Sequence, residues 1–351
     1  MTAIKNINKT NEKKLRVGIA GYGIVGKRRR KFIDQHPNLL TVAISDIKYK
    51  NNDILIDGVR CYKDYKKLIN QEIDILFVCL PNKHAPAATI LGINHDIHVF
   101  CEKPPGKTVE DIKNVIKAEK LHPNVKLKYG FNHRYHDSIS DAKKIIESKK
   151  FGSILNFRGV YGKSMIIPFT GEWRSRRSDA GGGILLDQGI HMLDMLLFFS
   201  SKFVKVYSFI SNNYWKHNVE DNAYIMMQDM KGRVAMLHSS ATEWEHKFRL
   251  EITLEKALIE LSGILSSSKS YGEEKLTIIE KNNHKTKKTK AIIRKYKVDN
   301  SWKKEINEFY DIIKKNKKIV NGNSQDALNV MKLIYKIYKS DKVWKNKFKI
   351  N

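Results

Sequence analysis

The stretch Leu15-Arg16-Val17-Gly18-Ile19-Ala20-Gly21-Tyr22-Gly23-Ile24-Val25-Gly26 decides the fold. Its first half reads as an apolar strand. Its second half has the form G-x-G-x-x-G, and KRRRKFIDQH carries on as a helix. Strand, glycine turn and helix in that order form a dinucleotide-binding opening. Gly21 permits the tight turn, Gly23 lets backbone approach a pyrophosphate, and Gly26 lets the helix pack on the strand. The helix N-terminus then offers free N–H groups and partial positive charge to the phosphates. Tyr22, Ile24 and Val25 belong to the same turn and are assigned to the cofactor with the three glycines.

Asp46, twenty positions past Gly26, ends the next strand, LLTVAISD. An acid there accepts hydrogen bonds from the adenosine ribose hydroxyls and repels a 2′-phosphate, which favours NAD. Lys48 and the run Lys27-Arg28-Arg29-Arg30-Lys31 keep NADP as the alternative, although a solvated helix face accounts for most of that run. Apolar strands at 73–81, 96–105 and 125–132 alternate with helical stretches, one of them (TVEDIKNVIKAEKLH) opening with Thr108 as its N-cap. Alternation at this spacing means a parallel sheet covered by helices. After about residue 135, short strands with partial alternation follow one another, interrupted by helices at 138–149 and 184–199.

A chain of 351 residues suits two domains. The expected plan is a polar tail at 1–14 and an α/β Rossmann domain with a parallel sheet at 15–135. An α+β substrate-binding and oligomerisation domain follows at 136–351, with a large, mainly antiparallel open sheet. The helical stretches 302–316 and 324–340 are candidates to pack back on the first domain. The lysine-rich KNNHKTKKTK (281–290) reads as a solvated hairpin tip or loop.

Residues at the carboxyl ends of parallel strands face the ligand crevice. Val78-Cys79-Leu80-Pro81-Asn82-Lys83-His84 ends one strand there, and Leu80, Pro81, Asn82 and His84 are assigned to the cofactor. Phe100-Cys101-Glu102-Lys103-Pro104-Pro105 ends the next, placing Glu102 beside the cofactor and Lys103 between nicotinamide ribose and substrate. Gly181-Gly182-Gly183-Ile184-Leu185-Leu186-Asp187-Gln188-Gly189-Ile190-His191-Met192-Leu193-Asp194 is the third motif. On an α-helix, Asp187, His191 and Asp194 share one face. Three titratable groups on an apolar helix are costly to bury unless paired, and the glycines before them admit a ligand or another backbone. Asn132 and Arg134 point to the same crevice. Trp173 can stack on a sugar ring, and Arg174 and Arg177 can hold a carboxylate or phosphate. An arginine-rich surface loop or subunit contact explains the last three equally well.

G-x-G-x-x-G, P-N-x-H, E-K-P and G-G-G-x-L-x-D-x-G-x-H-x-x-D, in this order, resemble the Gfo/Idh/MocA oxidoreductase family over about residues 15–340. The resemblance implies a Rossmann domain followed by an α+β domain whose open sheet forms a dimer face, giving a homodimer or homotetramer. It implies hydride transfer between NAD(P) and a hydroxyl or keto carbon of a sugar, sugar acid, cyclitol or nucleotide sugar. The family's lysine–aspartate–histidine set falls on Lys103, Asp187 and His191. His191 is then the base, Lys103 stabilises the alkoxide, and Asp187 holds the substrate or orients the base. The arginines favour an acidic or nucleotide-linked sugar. The competing class is a non-catalytic dinucleotide or sugar sensor on the same fold, which need not keep all three residues.

Composition narrows the rest. The net charge is +28, yet lysines number 52 against 13 arginines, scattered among Asn and Ile. No arginine-plus-aromatic pattern marks a nucleic-acid surface. Three cysteines (Cys61, Cys79, Cys101) cannot make a disulfide framework, and no Cys/His cluster suggests a metal. IHMLDMLLFF is too short and too polar to span a bilayer, and MTAIKNINKTNEKK carries no signal-peptide core. The expectation is a cytoplasmic enzyme with a small carbohydrate substrate and neither a nucleic-acid nor a membrane partner.

Overall fold

Strands that are apolar on both sides need helices on both faces, and the first half of the chain supplies them. In the computed structural model, which describes residues 13–51, 54–166, 173–266, 270–280 and 290–350, most of the polar tail and the lysine-rich stretch from 281 to 289 lie outside the described residues. The strands β1 (Leu15–Ala20), β2 (Leu39–Ser45), β3 (Ile54–Ile56), β4 (Val59–Tyr62), β5 (Ile75–Val78), β6 (His98–Glu102) and β7 (Leu127–Gly130) build one sheet, ordered β3-β4-β2-β1-β5-β6-β7. Every pairing is parallel except the β3–β4 hairpin, a small edge unit that the sequence reading passed over.

The connecting helices are α1 (Ile24–Asp34), α2 (Tyr65–Ile69), α3 (Ala85–Asn94) and α4 (Val109–Leu121). A capping box starts α4, with Thr108 Oγ1 accepting from the Asp111 N–H and the Asp111 carboxylate accepting from the Thr108 N–H. The order reverses between β1 and β5, which opens a crevice at their carboxyl ends. The β5 and β6 strands are shorter than predicted, which leaves 79–84 and 103–106 as loops over that crevice.

The second half contributes α5 (Asp137–Glu147), β8 (Ile154–Ser164), α6 (Arg177–Ala180), a π-helical turn (Leu185–Gly189) and α7 (Ile190–Phe199). There follow β9 (Phe203–Ser211), β10 (Asn222–Asp229), β11 (Val234–Glu243), β12 (Lys247–Leu254), β13 (Ala257–Ser262), β14 (Glu274–Glu280) and β15 (Lys290–Tyr296). These eight strands form one sheet, ordered β15-β14-β13-β12-β8-β11-β10-β9, antiparallel except for β8 with β11. Its inner face packs on α5 and α7. The helical run Arg177–Phe199 is long and apolar enough by composition to cross a bilayer, but 78% of its most apolar window is buried in this core.

The chain then returns to the first domain through α8 (Ser301–Lys314), α9 (Ser324–Ser340) and α10 (Lys342–Lys347). Phe309 on α8 sits edge-on to Phe100 at 5.5 Å and to Phe77 at 6.4 Å, while those two rings stack at 4.9 Å. Ile306 and Tyr310 join the same apolar cluster. Tyr129 N–H donates to the Gly322 carbonyl at 2.7 Å, and α9 packs between α4, α7 and β9.

Truncating Phe309 opens a cavity under the first sheet. Phe309→Ala is expected to lose about 3–5 kcal/mol of unfolding free energy, read by urea titration monitored with circular dichroism.

Candidate active site

The glycine turn has the shape a pyrophosphate needs. Gly21 has φ +93°, and a Cβ there would lie 2.5 Å from the Cys79 carbonyl oxygen. A Cβ on Gly26 would meet the Gly21 carbonyl oxygen at 2.1 Å, whereas one on Gly23 would meet nothing within 4 Å. Gly23 therefore leaves open space above the N-terminus of α1, whose N–H groups no side chain caps. Asp46 follows β2 and accepts from the Lys48 N–H at 3.0 Å. The three arginines of the basic run have protein partners and do not offer themselves to a 2′-phosphate. Arg28 lies over Trp302, Arg30 bonds Tyr22 Oη and Asp34, and Arg29 is wholly buried between Glu102 (2.5 Å) and Glu305 (2.7 Å). These residues fit a dinucleotide whose ribose carries free hydroxyls.

Leu80 and Pro81 are half-buried beside this turn, and His84 is exposed at the start of α3. Asn82 departs from expectation. Its amide donates to the Ala180 carbonyl at 2.8 Å, and Lys83 pairs with Asp179, so this loop fastens α6 to the first domain.

Lys103 emerges from β6, its prolyl bond to Pro104 being cis. Its Nζ donates to the Asp187 backbone carbonyl at 2.6 Å and lies 3.7 Å from Oδ1. Arg174 Nε stands 3.7 Å from the other carboxylate oxygen. Burial alone would raise the Asp187 carboxyl, but Lys103, Arg174 and Lys163 outweigh it and hold the group below its ordinary value. Asp187 is thus a carboxylate ringed by cations.

A π-helical turn leads into α7 and carries Asp187 just ahead of it. Lys103 acts on both Asp187 and His191, whereas Asp194 is engaged elsewhere. Asp187 faces Lys103. His191 lies flat on His133, with ring centroids 3.7 Å apart and planes at 16°. Asp194 takes Arg134 in a bidentate pair at 2.6 and 2.8 Å, with Asp326 at 2.9 Å on the same guanidinium. Arg134 is therefore a buried structural ion-pair residue, not the substrate contact that its position suggested. Arg177 is also placed elsewhere, over Phe348 and Tyr338 at the C-terminal helices. Trp173 and Arg174 stay near the site, the guanidinium 4.4 Å from the indole centroid. Gly171 and Glu172, quoted with them from the sequence, lie outside the described residues.

Asn132 is buried, its amide donating to Ser301 Oγ. Its Oδ1 accepts from His133 Nδ1 at 3.2 Å, which leaves His133 Nε2 to accept from Tyr161 Oη at 3.1 Å. Burial, with His133, Lys103 and His136 nearby, holds His191 well below the ordinary histidine value. Burial, His136 and Lys103 do the same to His133. His191 Nδ1 has no hydrogen-bond partner among the described residues, and every neighbour that acts on the ring works against its protonation. The sequence reading missed His133, although it stands between two residues that were singled out. It also missed Lys163, whose alternation with Tyr161 along β8 could have placed both toward Asp187 and α7.

Residues 15–131 match a family described as oxidoreductases with an NAD-binding Rossmann fold, and residues 139–260 match the GFO/IDH/MocA C-terminal domain. Inositol 2-dehydrogenase of Salmonella typhimurium is 25% identical over 264 residues, covering 72% of this chain and 76% of its own. Levoglucosan dehydrogenase of Pseudarthrobacter phenanthrenivorans is 26% identical over 56% of this chain and 54% of its own. Among solved structures, levoglucosan dehydrogenase in complex with NADH and levoglucosan gives a TM-score of 0.82 at 20% identity, covering 95% of this chain and 98% of that one. Myo-inositol 2-dehydrogenase from Lactobacillus plantarum gives 0.77 at 22%, covering 94% and 98%.

Two buried neutral histidines make stability depend on pH. Unfolded, each binds a proton near pH 6.5, while the folded protein refuses it, so stability falls as pH drops through about 6.5. Glu305, which burial pushes up to about 7, works in the opposite sense. The histidine share is therefore a difference: between pH 7.5 and 5.5, the melting temperature should fall less in His133→Phe than in the wild type.

Proposed function

The chain belongs to the Gfo/Idh/MocA oxidoreductase family, and from that premise we propose that this NAD-dependent dehydrogenase interconverts a secondary hydroxyl and a ketone on the ring of a sugar or cyclitol. The observation that carries the proposal is one cluster drawn from two domains. Lys103 comes from the first sheet and meets Asp187 and the neighbourhood of His191 on the catalytic helix of the second.

When bound, NAD would supply the hydride acceptor, and the 21–26 turn, Asp46 and the loop after β5 would hold it. His191, neutral and shielded, takes the hydroxyl proton on its imidazole. A ring so reluctant to charge is a weak base, and the Lys103 ammonium compensates by stabilising the developing alkoxide. Asp187 fixes that ammonium through its carbonyl and carboxylate and leaves a carboxylate edge for a neighbouring substrate hydroxyl. His133, stacked on His191, limits the ring to one orientation.

An acidic or nucleotide-linked sugar is the finer reading. What favours it is the excess of cations around Asp187, where Lys103, Lys163 and Arg174 face a single carboxylate. Arg134 and Arg177 no longer support it. A reducing cytoplasm suits the three free cysteines.

Assembly through the second sheet is part of the same proposal. Its outward face aligns Tyr207, Met226 and Met236 across β9, β10 and β11, beside Phe209 and Tyr224, all at least 44% exposed. A contiguous apolar patch of this kind marks an interface.

Lys103→Ala and His191→Ala are each expected to lower turnover by about two to four powers of ten, with NAD affinity kept within about threefold. A panel of inositols, sugars, uronates and nucleotide sugars followed at 340 nm reads the first effect, and a nucleotide-binding titration reads the second. If uronates and neutral sugars respond alike, and Arg174→Ala changes neither, the acidic-substrate reading fails. Phe209→Lys with Tyr207→Lys should shift the particle to monomer in sedimentation, leaving the circular dichroism spectrum intact.

A further inference from the structure

The glycines ahead of Asp187 form a junction between packed segments. A Cβ on Gly182 would lie 2.1 Å from Tyr338 Oη of α9, and Gly183 abuts the backbone of Glu220, just before β10. Glu220 and Tyr338 are both wholly buried. Tyr338 Oη donates to Glu220 Oε1 at 2.7 Å, and the Leu185 N–H donates to the same oxygen at 3.2 Å. The Glu220 backbone carbonyl accepts from the Ile184 N–H at 3.0 Å. One residue thus holds two N–H groups at the start of the π turn, where backbone donors outnumber helical acceptors. Asp187 is next in line. Its N–H donates to the Gly183 carbonyl at 2.9 Å, and its own carbonyl takes the Lys103 ammonium at 2.6 Å. A line of hydrogen bonds, joined by short lengths of backbone, therefore runs from α9 to that ammonium.

Glu220 is a costly residue to bury. Burial pushes its carboxyl up, and the Tyr338 hydroxyl and the Arg177 guanidinium work against that. Its Oε2 has no hydrogen-bond partner among the described residues. A leucine would be easier to bury here but would accept no N–H. Arg177 belongs to the same arrangement, its guanidinium 5.3 Å from the Tyr338 ring centroid. Neither Glu220 nor Tyr338 bonds the side chains of Lys103, Asp187 or His191, so any effect on the reaction is indirect. We propose that Glu220 and Tyr338 are positioning residues. They lock the turn that aims the Asp187 carbonyl at Lys103, and so place the ammonium where the alkoxide develops. The inference rests on the dehydrogenase reading above and adds to it two residues, from outside the reacting cluster, that hold its geometry.

The test compares the NAD-loaded wild type with Glu220→Leu, Glu220→Gln and Tyr338→Phe. Gln keeps an acceptor at Oε1, Leu removes it, and Phe removes one hydroxyl. Rates at 340 nm use the member of the panel above that the wild type oxidises fastest, and are expressed per folded protein from circular dichroism. Reductive methylation with formaldehyde and cyanoborohydride, followed by peptide mass spectrometry, reads how freely Lys103 reacts relative to the other lysines, whether or not a sugar turns over. A misplacement of about 1 Å can cost about a hundredfold in rate, so Glu220→Leu is expected to lower kcat by about thirtyfold, with KM and NAD affinity kept within about threefold. Lys103 should then be methylated about fivefold faster, its partner carbonyl having been released. Tyr338→Phe should lower kcat by about three- to tenfold, and Glu220→Gln should retain about a third of it or more. Where Glu220→Leu does not fold, Tyr338→Phe set against Glu220→Gln decides. Faster Lys103 methylation in the variants, with no panel member oxidised by the wild type, would remove the dehydrogenase reading and keep the positioning role. An unchanged kcat in an active enzyme, an unchanged Lys103 methylation rate, or a Glu220→Gln as slow as Glu220→Leu would overturn that role.

Discussion

A lysine from one domain grips a backbone carbonyl of the other, and the proposed chemistry depends on that grip. Lys103 Nζ and the Asp187 carbonyl are 2.6 Å apart, with the Asp187 carboxylate just beyond. Neither domain alone holds the proposed reaction centre. The first supplies a dinucleotide cradle and an ammonium; the second supplies a carboxylate and a shielded imidazole. Smaller ties keep the two in register. Asn82 bonds the Ala180 carbonyl, Lys107 Nζ bonds the Ser178 carbonyl, and Tyr335 Oη donates to the Lys107 carbonyl. All three bracket the short α6 and the glycines after it. There Gly183 packs so tightly that a Cβ would meet the Glu220 carbonyl at 2.0 Å.

Behind Lys103 lies a buried charge cluster. Arg29 of the phosphate-binding helix joins Glu102, the residue before Lys103, to Glu305 of α8, with its guanidinium over Trp302 and Phe100. Lys128 on β7 extends the network to Glu308 and to the Asn321 carbonyl. Buried ions so paired add little net stability against apolar replacements, but removing one partner strands the others. Their value here is positional: they link the cofactor helix, the strand end that carries the lysine and the returning C-terminal segment.

The cofactor half of the site was legible because its geometry is local. A strand, three glycines and an acid at fixed spacing carry their structure with them, and Gly21, Gly23 and Gly26 each meet the surroundings that their motif implies. The alternation of strand and helix likewise revealed the first sheet, and Thr108 capped α4 as its side chain predicts. What depends on tertiary partners was not legible. The π turn that carries Asp187 is one such feature, and no pattern in Leu185–Gly189 announces it. Arg134 and Arg177 looked like ligand-binding arginines because sequence shows a charge without its partner. Asp194, Asp326 and Phe348 stand far off along the chain. His133 went unnoticed for the same reason, since its stacking with His191 joins residues 58 positions apart.

The return of α8 bears on how such proteins can be recombined. Phe309, Ile306 and Tyr310 complete the apolar underside of a sheet whose strands all come from the first 130 residues. The nucleotide-binding module is thus discontinuous in the gene. A graft that moves it between relatives must carry the helix from near the C-terminus as well, or the transplanted sheet will have a bare hydrophobic floor.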